Sequence, residues 1–326
     1  MYLVTGAAGL IGSAVVRELN HRGITNIICT DHLGNSIKWK NLRSLNFIDY
    51  YEKDDFIGLM DNHNFWKSIK GIIHLGACSS TTESDASYLI KNNYEYSKKI
   101  ALKAIEYNIR MIYASSAATY GNGENGFDDD LDKIESLRPL NPYGYSKHIF
   151  DLWLKHNQYF QNKDIFVGLK YFNIFGPNEY HKGNMQSMVL KGFRQIQQDG
   201  RIRLFKSYHP NYEDGKQMRD FLYVKDAAKM TVFFLLENKN ITGIFNLGSG
   251  KASTWLELAE AIFEAMGLKP NIEFIEMPIE IQKSYQYFTQ APIKKLISAG
   301  YNYPITPLKD AVYDYVQNYL LKDEHA

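Results

Sequence analysis

The run Thr5-Gly-Ala-Ala-Gly-Leu-Ile-Gly12 constrains the fold of this chain more than any other segment. It follows a short apolar stretch, Tyr2-Leu-Val-Thr5, and opens an amphipathic one, Leu10–Arg22. Gly6 permits a tight turn after a strand, Gly9 lets backbone N–H groups approach a pyrophosphate, and Gly12 lets the following helix pack closely. The helix start adds orphan donors and the positive end of its dipole. A glycine pattern alone fits any tight turn. Here strand, helix and an acid about 20 residues further on, Asp31, agree with a dinucleotide site. Asp31 follows Ile27-Ile-Cys-Thr30 and is placed to accept from an adenosine ribose hydroxyl. By itself it favours NAD. Lys38 and Lys53, in loops expected on the same side, would suit a 2′-phosphate instead, but each fits a solvated surface charge equally well, so NADP and NAD both stay open on these residues alone. The uncharged stretch from Tyr2 to Val16 resembles the core of an export signal, but no basic segment precedes it.

The same alternation continues along the chain. Ile27–Thr30, Gly71–Leu75, Met111–Ser115 and Ile165–Lys170 read as short buried strands. Leu10–Arg22, Asp54–Asn62, Tyr88–Asn108 and Tyr143–Gln158 read as helices between them. Strand and helix in alternation predict an α/β fold, a doubly wound parallel (Rossmann) sheet. After Phe172 the rhythm loosens. A polar loop through Gly176-Pro177 to Asn184 precedes a helix over Gln186–Gln198, and Ser207–Gln217 is polar with turn signals. Regular pattern returns at the strand Phe221–Val224, the helix Lys225–Glu237 and the strand Ile244–Leu247. Thr254–Met266, Ile272–Glu276 and helices following Pro292 and Pro307 complete the chain. The expected division is a dinucleotide-binding domain of residues 1–171, 222–249 and 299–326, with a smaller, discontinuous substrate domain of 172–221 and 250–298. Asp128-Asp129-Asp130 reads as a solvated acidic loop.

Composition removes several classes of function. With 37 Lys+Arg against 36 Asp+Glu in 326 residues, no global field favours nucleic acid or an anionic membrane. Two cysteines, Cys29 and Cys78, make no disulfide framework and fit a reducing, cytoplasmic setting. No apolar run approaches the roughly 20 residues that span a bilayer. The nine histidines show no metal-ligand spacing.

Tyr143-Gly-Tyr-Ser-Lys147 places Tyr143 and Lys147 four apart on one helix face. An ammonium there would favour the phenolate and lower the tyrosine pKa towards acid/base use. Ser116 follows the strand Met111–Ser115, at the sheet edge where such folds expose reactive residues, and its hydroxyl would orient a substrate alcohol. Tyr-x-x-x-Lys is common by chance; the glycine loop and the Ser-Ser strand end give it weight. Cys78 reads as a small packed residue, since no histidine is placed as its base.

With these residues in view, the chain resembles the extended short-chain dehydrogenase/reductases that act on nucleotide sugars. Within them it is similar to the ADP-heptose 6-epimerase branch along nearly its whole length. The segments that carry the likeness are Gly76-Ala-Cys-Ser-Ser-Thr-Thr-Glu83, Tyr113-Ala-Ser-Ser-Ala-Ala-Thr-Tyr-Gly121, Asn141–Lys147, Lys170-Tyr-Phe-Asn-Ile-Phe-Gly-Pro177, His181-Lys-Gly183, Arg219-Asp-Phe221 and Tyr287–Ala291. The resemblance implies NADP contacts at Leu10, Ile11, Asp31, His32, Lys38, Lys53, Leu75, Gly76, Ala77, Cys78, Ser79, Asn92 and Lys147. It implies Tyr143 and Lys182 as the acid/base pair, with Ser116 in support. Substrate contacts would fall on Ser116, Asn173, Asn184, Lys191, Phe205, Lys206, Ser207, Tyr208, Arg219 and Tyr285. Arg219 suits a diphosphate because its planar fork binds bidentately. The implied substrate is a nucleotide-diphosphate heptose whose C6 is inverted for lipopolysaccharide inner-core synthesis, and the implied assembly is a homo-oligomer, a pentamer in the family.

The departures fall on the nucleotide side. His32 stands where the family usually has Asn and Leu10 where it has an aromatic. The loop Tyr208–Met218 is longer than usual, and Asn184, Lys191 and the segment around Lys206 differ from the family residues. Three other readings stay in play. A 4,6-dehydratase would need acids where Ala117 and Ala118 stand. A 4-epimerase shares the fold and the Ser/Tyr/Lys set but has no need of Lys182. A non-catalytic dinucleotide-binding regulator would have no use for Ser116, Tyr143 and Lys147 together.

Overall fold

The computed structural model describes residues 1–162, 164–282 and 285–326. In chain order its strands are β1 (Tyr2–Thr5), β2 (Ile27–Asp31), β3 (Asp49–Glu52), β4 (Gly71–His74), β5 (Met111–Ser116), β6 (Phe166–Tyr171), β7 (Asn173–Phe175), β8 (Ile202–Phe205), β9 (Met218–Tyr223), β10 (Gly243–Leu247), β11 (Ala252–Thr254) and β12 (Ile272–Ile275). Seven form one parallel sheet in the order β10-β6-β5-β4-β1-β2-β3. A parallel sheet covered on both faces buries successive side chains in opposite cores, which is why its strands read as unbroken apolar runs. Leu3 joins the core under the helices Tyr96–Glu106 and Pro142–His156; Val4 joins the opposite one, under Leu10–His21 and Val224–Leu236. This is the doubly wound architecture the alternation predicts.

β3 escapes the sequence reading because Asp-Tyr-Tyr-Glu is an edge strand without a buried residue. The expected helix Asp54–Asn62 is instead Lys53–Ile57, followed by turns and a separate helix His63–Ser68. Asn62 ends the first element by capping the second, its side chain accepting from the Phe65 N–H. The expected helix Tyr88–Asn108 runs Ala86–Glu106 and is interrupted by a π-helical stretch, Ile90–Glu95. Asp129 is not solvated: it is buried and accepts from the Asn246 N–H at 2.8 Å.

The second lobe holds β7, β9 and β11 in one small sheet and β8 with β12 in another. Its core joins Val189, Leu190 and Phe193 of the helix Met188–Asp199 to Leu258, Ile262 and Phe263 of Trp255–Ala265. Near the end of the chain the packing departs from the expected division. Leu296 and Tyr301 enter the core of the large sheet, whereas Val312, Tyr315 and Val316 pack with Ile262 in the second lobe. The expected boundary at 298/299 therefore runs against the packing on both sides. Among the described residues no helix is long and apolar enough to cross a membrane.

Candidate active site

A cleft of about 1180 Å³ lies between the lobes, over the C-terminal ends of β1, β2, β4, β5 and β6, where open α/β sheets bind their ligands. Its floor is the glycine loop. Gly6 has φ +67°, and a Cβ there would sit 2.7 Å from the Gly76 nitrogen; a Cβ on Gly12 would lie 1.9 Å from the Gly6 carbonyl oxygen. Gly9 caps the first helix without a side-chain cap, leaving first-turn N–H groups for an anion. The glycines thus let the loop, the first helix and the Leu75–Gly76 stretch close on one another, and the uncapped helix start beneath them fits a dinucleotide pyrophosphate. Leu10, Ile11 and the stretch Leu75, Gly76, Ala77, Cys78 and Ser79 also line the cleft.

Asp31 closes this wall. One carboxylate oxygen accepts from the Ala8 N–H at 2.8 Å, the other from the His32 N–H and the Lys38 ammonium, both at 2.7 Å. Asp31 and Lys38 line the cleft; Lys53, Asn92 and the His32 ring do not. The Lys53 ammonium instead donates to Asn92 Oδ1 at 2.5 Å, so two expected cofactor residues meet each other just beyond the β2–β3 pair that ends at Asp31 and Glu52. The His32 side chain is 73% exposed and turned to Glu52.

A second wall is the helix Pro142–His156, which brings Tyr143 and Lys147 to the cleft. Asn141 caps it, accepting from the Gly144 N–H at 2.7 Å, and Pro142 occupies the first turn, where no N–H is missed. Gly144 lets this helix approach the strand-end turn, since a Cβ would fall 2.7 Å from the Ala118 oxygen. Ser116 ends β5 and its Oγ accepts from the Ala118 N–H at 3.1 Å. Tyr143 and Lys147 face the same cleft. The expected depression of the Tyr143 pKa is not found. Burial raises it, and Ser116, its hydrogen-bonding neighbour, pulls it only partly back. The Lys147 ammonium points elsewhere, to the Ala114 carbonyl at 3.0 Å, and burial lowers its own pKa to about 8.

Two buried networks hold these groups, and neither was legible as a motif. Asp151, one turn beyond Lys147, accepts from Tyr113 (2.9 Å), Ser115 (2.7 Å) and Lys170 (2.8 Å), and Lys170 also donates to Thr119 at 2.6 Å. The Asp151–Lys170 pair is fully buried, and these added hydrogen bonds satisfy charges whose desolvation would otherwise cost several kcal/mol. It fixes the strand end that presents Ser116.

The second network starts at the glycine loop. The Gly76 N–H donates to Thr5 Oγ1 at 3.0 Å, and Thr5 meets His74 Nδ1 at 2.7 Å. His74 Nε2 lies 2.8 Å from Ser97 Oγ, and Ser97 donates to the Asn93 carbonyl. Burial lowers the His74 pKa to about 3, so the ring is neutral. Ser97 uses its only proton on Asn93, which assigns the ring proton to Nε2 and makes Nδ1 the acceptor from Thr5. Asn93 then brackets Cys78, accepting its N–H at 2.8 Å and donating to its carbonyl at 2.9 Å, and donates to Ser146 at 2.9 Å. Ser146 returns to the Tyr143 carbonyl at 2.7 Å. Asn93 is buried within the π-helical stretch, on the face it shares with Leu89 and Ser97. The reading that chose Asn92 on resemblance missed its neighbour. A lone histidine in the apolar strand Gly71–His74 was the signal available for His74.

The second lobe supplies the remaining wall. Arg219 is buried, its guanidinium 5.7 Å from the Trp255 ring centroid and 5.2 Å from that of Tyr285. Trp255 Nε1 donates to the Tyr285 hydroxyl at 2.9 Å, locking both rings around the cation. Trp255 was not anticipated. Asn173 and Lys191 line the cleft. Asn184 is exposed and off it, its carbonyl accepting from Lys191 at 2.7 Å. Phe205, Lys206, Ser207 and Tyr208 also lie off it. Lys206 pairs with Glu276 at 2.5 Å, Tyr208 donates to the same carboxylate, and the Ser207 N–H donates to Asp214 at 2.7 Å. The long loop is tied to itself and to the end of β12.

Lys182 lines the cleft from the turn Tyr180–Met185, which Gly183 bends with φ +51°. Burial lowers the Lys182 pKa; Glu179 opposes that and Lys191 adds to it. Glu179 is itself buried, accepting from the Ser187 N–H at 2.5 Å and its hydroxyl at 2.6 Å. His181, beside Lys182, also lines the cleft, with a pKa lowered to about 4 by burial and by Lys38. Tyr143 and Lys182, one from each lobe, are thus two titratable groups on one cleft.

Over residues 2–248 the chain matches the NAD dependent epimerase/dehydratase family. It is 47% identical over 320 residues to a Nitratidesulfovibrio vulgaris protein named ADP-L-glycero-D-manno-heptose-6-epimerase, covering 98% of each chain. The crystal structure of the Helicobacter pylori ADP-L-glycero-D-manno-heptose-6-epimerase matches with a TM-score of 0.79 at 26% identity, over 97% of this chain and 95% of that one. A Thermotoga maritima UDP-glucose 4-epimerase solved with UDP-glucose shares the fold at a TM-score of 0.80, with 22% identity and 99% of both chains covered.

Proposed function

The chain belongs to the NAD dependent epimerase/dehydratase family, and from that premise we propose that it inverts C6 of the heptose in ADP-D-glycero-β-D-manno-heptose to give the L-glycero epimer. The observation that carries this reading is Lys182, a second proton-handling group on the cleft that holds Ser116, Tyr143 and Lys147. The name of the 47% identical relative points the same way, whereas the fold is shared equally with a 4-epimerase, whose chemistry has no need of Lys182.

C6 of the heptose is a secondary alcohol carbon, and its C–H is not acidic. The cofactor is a nicotinamide dinucleotide, held by the glycine loop, Asp31, Leu75–Ser79 and Lys147, and when bound it supplies reversible oxidation at that carbon. The chain's own residues handle the oxygen. Tyr143, with Ser116 beside it, takes the hydroxyl proton or returns it when the oxygen points to the helix. Lys182 does the same when inversion turns the oxygen to the other lobe. Two faces require two proton donors. Arg219, clamped between Trp255 and Tyr285, binds the diphosphate bidentately.

We infer NADP rather than NAD. A site for NAD leaves its acid free for ribose hydroxyls, whereas Asp31 already accepts two backbone N–H groups and the Lys38 ammonium. Nucleotide released from the denatured protein is expected to be NADP; recovery of NAD alone overturns this choice. Homo-oligomeric assembly and a cytoplasmic location belong to the same family reading, and sedimentation of the purified chain tests the first.

The decisive experiment incubates the purified protein with ADP-D-glycero-β-D-manno-heptose in D2O and reads product stereochemistry by NMR. Inversion at C6 with no deuterium on that carbon is expected. Inversion elsewhere in a panel of nucleotide sugars, or stoichiometric deuterium at C6, overturns the reading.

A further inference from the structure

Lys182 and the cofactor cradle belong to different lobes, yet the two-base reading needs them in register. The structure contains a joint between them that involves none of the groups assigned so far. Asn41 lies three residues beyond Lys38, in the short 3-10 helix Ile37–Asn41, and is 1% exposed. Its amide donates to the Ala8 carbonyl of the glycine loop at 2.8 Å and to the Asn178 carbonyl at 3.0 Å. The Ala8 N–H is the one that holds Asp31, so this residue is fixed through both its N–H and its carbonyl.

Asn178 is equally buried and stands four residues before Lys182, with φ +76°, a conformation few side chains tolerate. Its amide donates to Ser13 of the first helix at 3.0 Å. The segment Glu324–Ala326 closes the joint from outside. The Ala326 N–H donates to Asn178 Oδ1 at 2.9 Å, and His325 Nδ1 meets Asn41 Oδ1 at 2.7 Å. A buried amide left without these partners would be disfavoured, so each bond is a reason for the arrangement. Holding a residue at positive φ where glycine would be at ease marks the side chain as the reason for its presence.

We propose that Asn41 and Asn178 are positioning residues that hold the Lys182 turn in register with the cofactor cradle. The inference rests on the reading of Lys182 as the second acid/base. It gives that reading a mechanical basis: the turn is bonded to the peptide that organises Asp31 and to the 3-10 helix that carries Lys38. Small misplacements of a reacting group are costly, of the order of a hundredfold per ångström.

The test is Asn178→Gly, which keeps the backbone conformation and removes only the amide, examined alone and with Lys182→Met. Expected are a kcat lowered roughly ten- to hundredfold, unchanged KM for the nucleotide sugar, unchanged cofactor content and a thermal midpoint lower by only about a few degrees, since the bonds to Ser13 and Ala326 go with the amide. In the Lys182→Met background the same substitution should remove nothing further, because residues acting as one unit are not additive. Asn41→Ser, which shortens the other side of the joint, should follow the same pattern if Asn178→Gly proves unstable. Full kcat in both variants, or a loss that adds to that of Lys182→Met, overturns the proposal. A fully active Lys182→Met enzyme overturns the two-base reading beneath it, so the two failures are told apart.

Discussion

The two walls of the cleft are built in different ways. On the cofactor side the wall is mostly backbone: the glycine loop, the Leu75–Ser79 stretch and the ends of parallel strands. Side chains there act through main-chain partners, as when Asp31 takes the Ala8 N–H or Asn93 brackets Cys78. On the substrate side the wall is mostly side chain, with Arg219 between two rings and Lys182 on a bent turn. A backbone wall needs a fold and a few glycines. A side-chain wall needs each residue delivered by its own element, Arg219 by a strand, Trp255 by a helix and Lys182 by a turn. The first tolerates change at most of its surface positions, whereas the second fails one residue at a time.

The sharpest test of this contrast lies where the walls meet. Tyr143→Phe removes one oxygen and keeps the ring, the helix and the Asn93–Ser146 link through the Tyr143 carbonyl. Epimerisation should fall by roughly 10²–10⁴-fold, the range for a positioned acid/base, while the cofactor content of the purified protein stays unchanged. Steady-state rates with ADP-heptose and nucleotide release on denaturation measure the two together. Near-normal turnover would mean the proton is handled by another residue.

This contrast also explains what was legible in the sequence. The large sheet and the residues of the backbone wall could be read because burial on both faces forces apolar runs and close approach forces glycine. β3 could not, since its edge position leaves Asp49–Glu52 without a buried residue. Leu89, Asn93, Ser97 and Ala101 are all buried and spaced by four, so helical periodicity does turn Asn93 inward; it escapes because the resemblance points to its neighbour Asn92 and a single buried asparagine forms no motif. Phe205, Lys206, Ser207 and Tyr208 are assigned by resemblance alone, at the edge of the polar segment Ser207–Gln217. In the structure Lys206 and Tyr208 turn to Glu276 instead. Where position is set by a loop's own contacts, residue type alone does not tell which way a side chain faces.

A smaller effect sets two arginine and lysine candidates of the second lobe against each other. Arg219 is buried on the cleft, and Lys206 is 42% exposed beside its carboxylate partner. Arg219→Ala should lower kcat/KM by roughly 10–100-fold, the loss of charged hydrogen bonds worth about 1.5–3 kcal/mol. Lys206→Ala should change it less than about threefold, in line with exposed ion pairs. Equal losses in the two variants would return the long loop to the substrate wall and erase the distinction between assigned and placed residues.

The smallest effect concerns whether burial on the backbone side sets chemistry as well as shape. Burial brings the Lys147 pKa from its ordinary 10.5 down to about 8, with Asp151 and Cys78 opposing the shift. As pH rises through about 8, Lys147 loses its charge, and a charge-assisted hydrogen bond to the cofactor becomes an ordinary one. The difference is about 1 kcal/mol, so dinucleotide affinity of the stripped protein should weaken roughly fivefold across that window. Lys147→Met should bind more weakly throughout and show no such step. Loss of fold cannot imitate this result, because the linkage has the opposite sign. Between about 8 and 10.5 the unfolded lysine binds more protons than the folded one, so the contribution of this group to stability increases with pH. Affinity that falls while stability from the same residue rises identifies the lysine itself. A flat affinity profile in the unmodified chain, or the same step in Lys147→Met, would mean that the cofactor wall owes its binding to backbone alone.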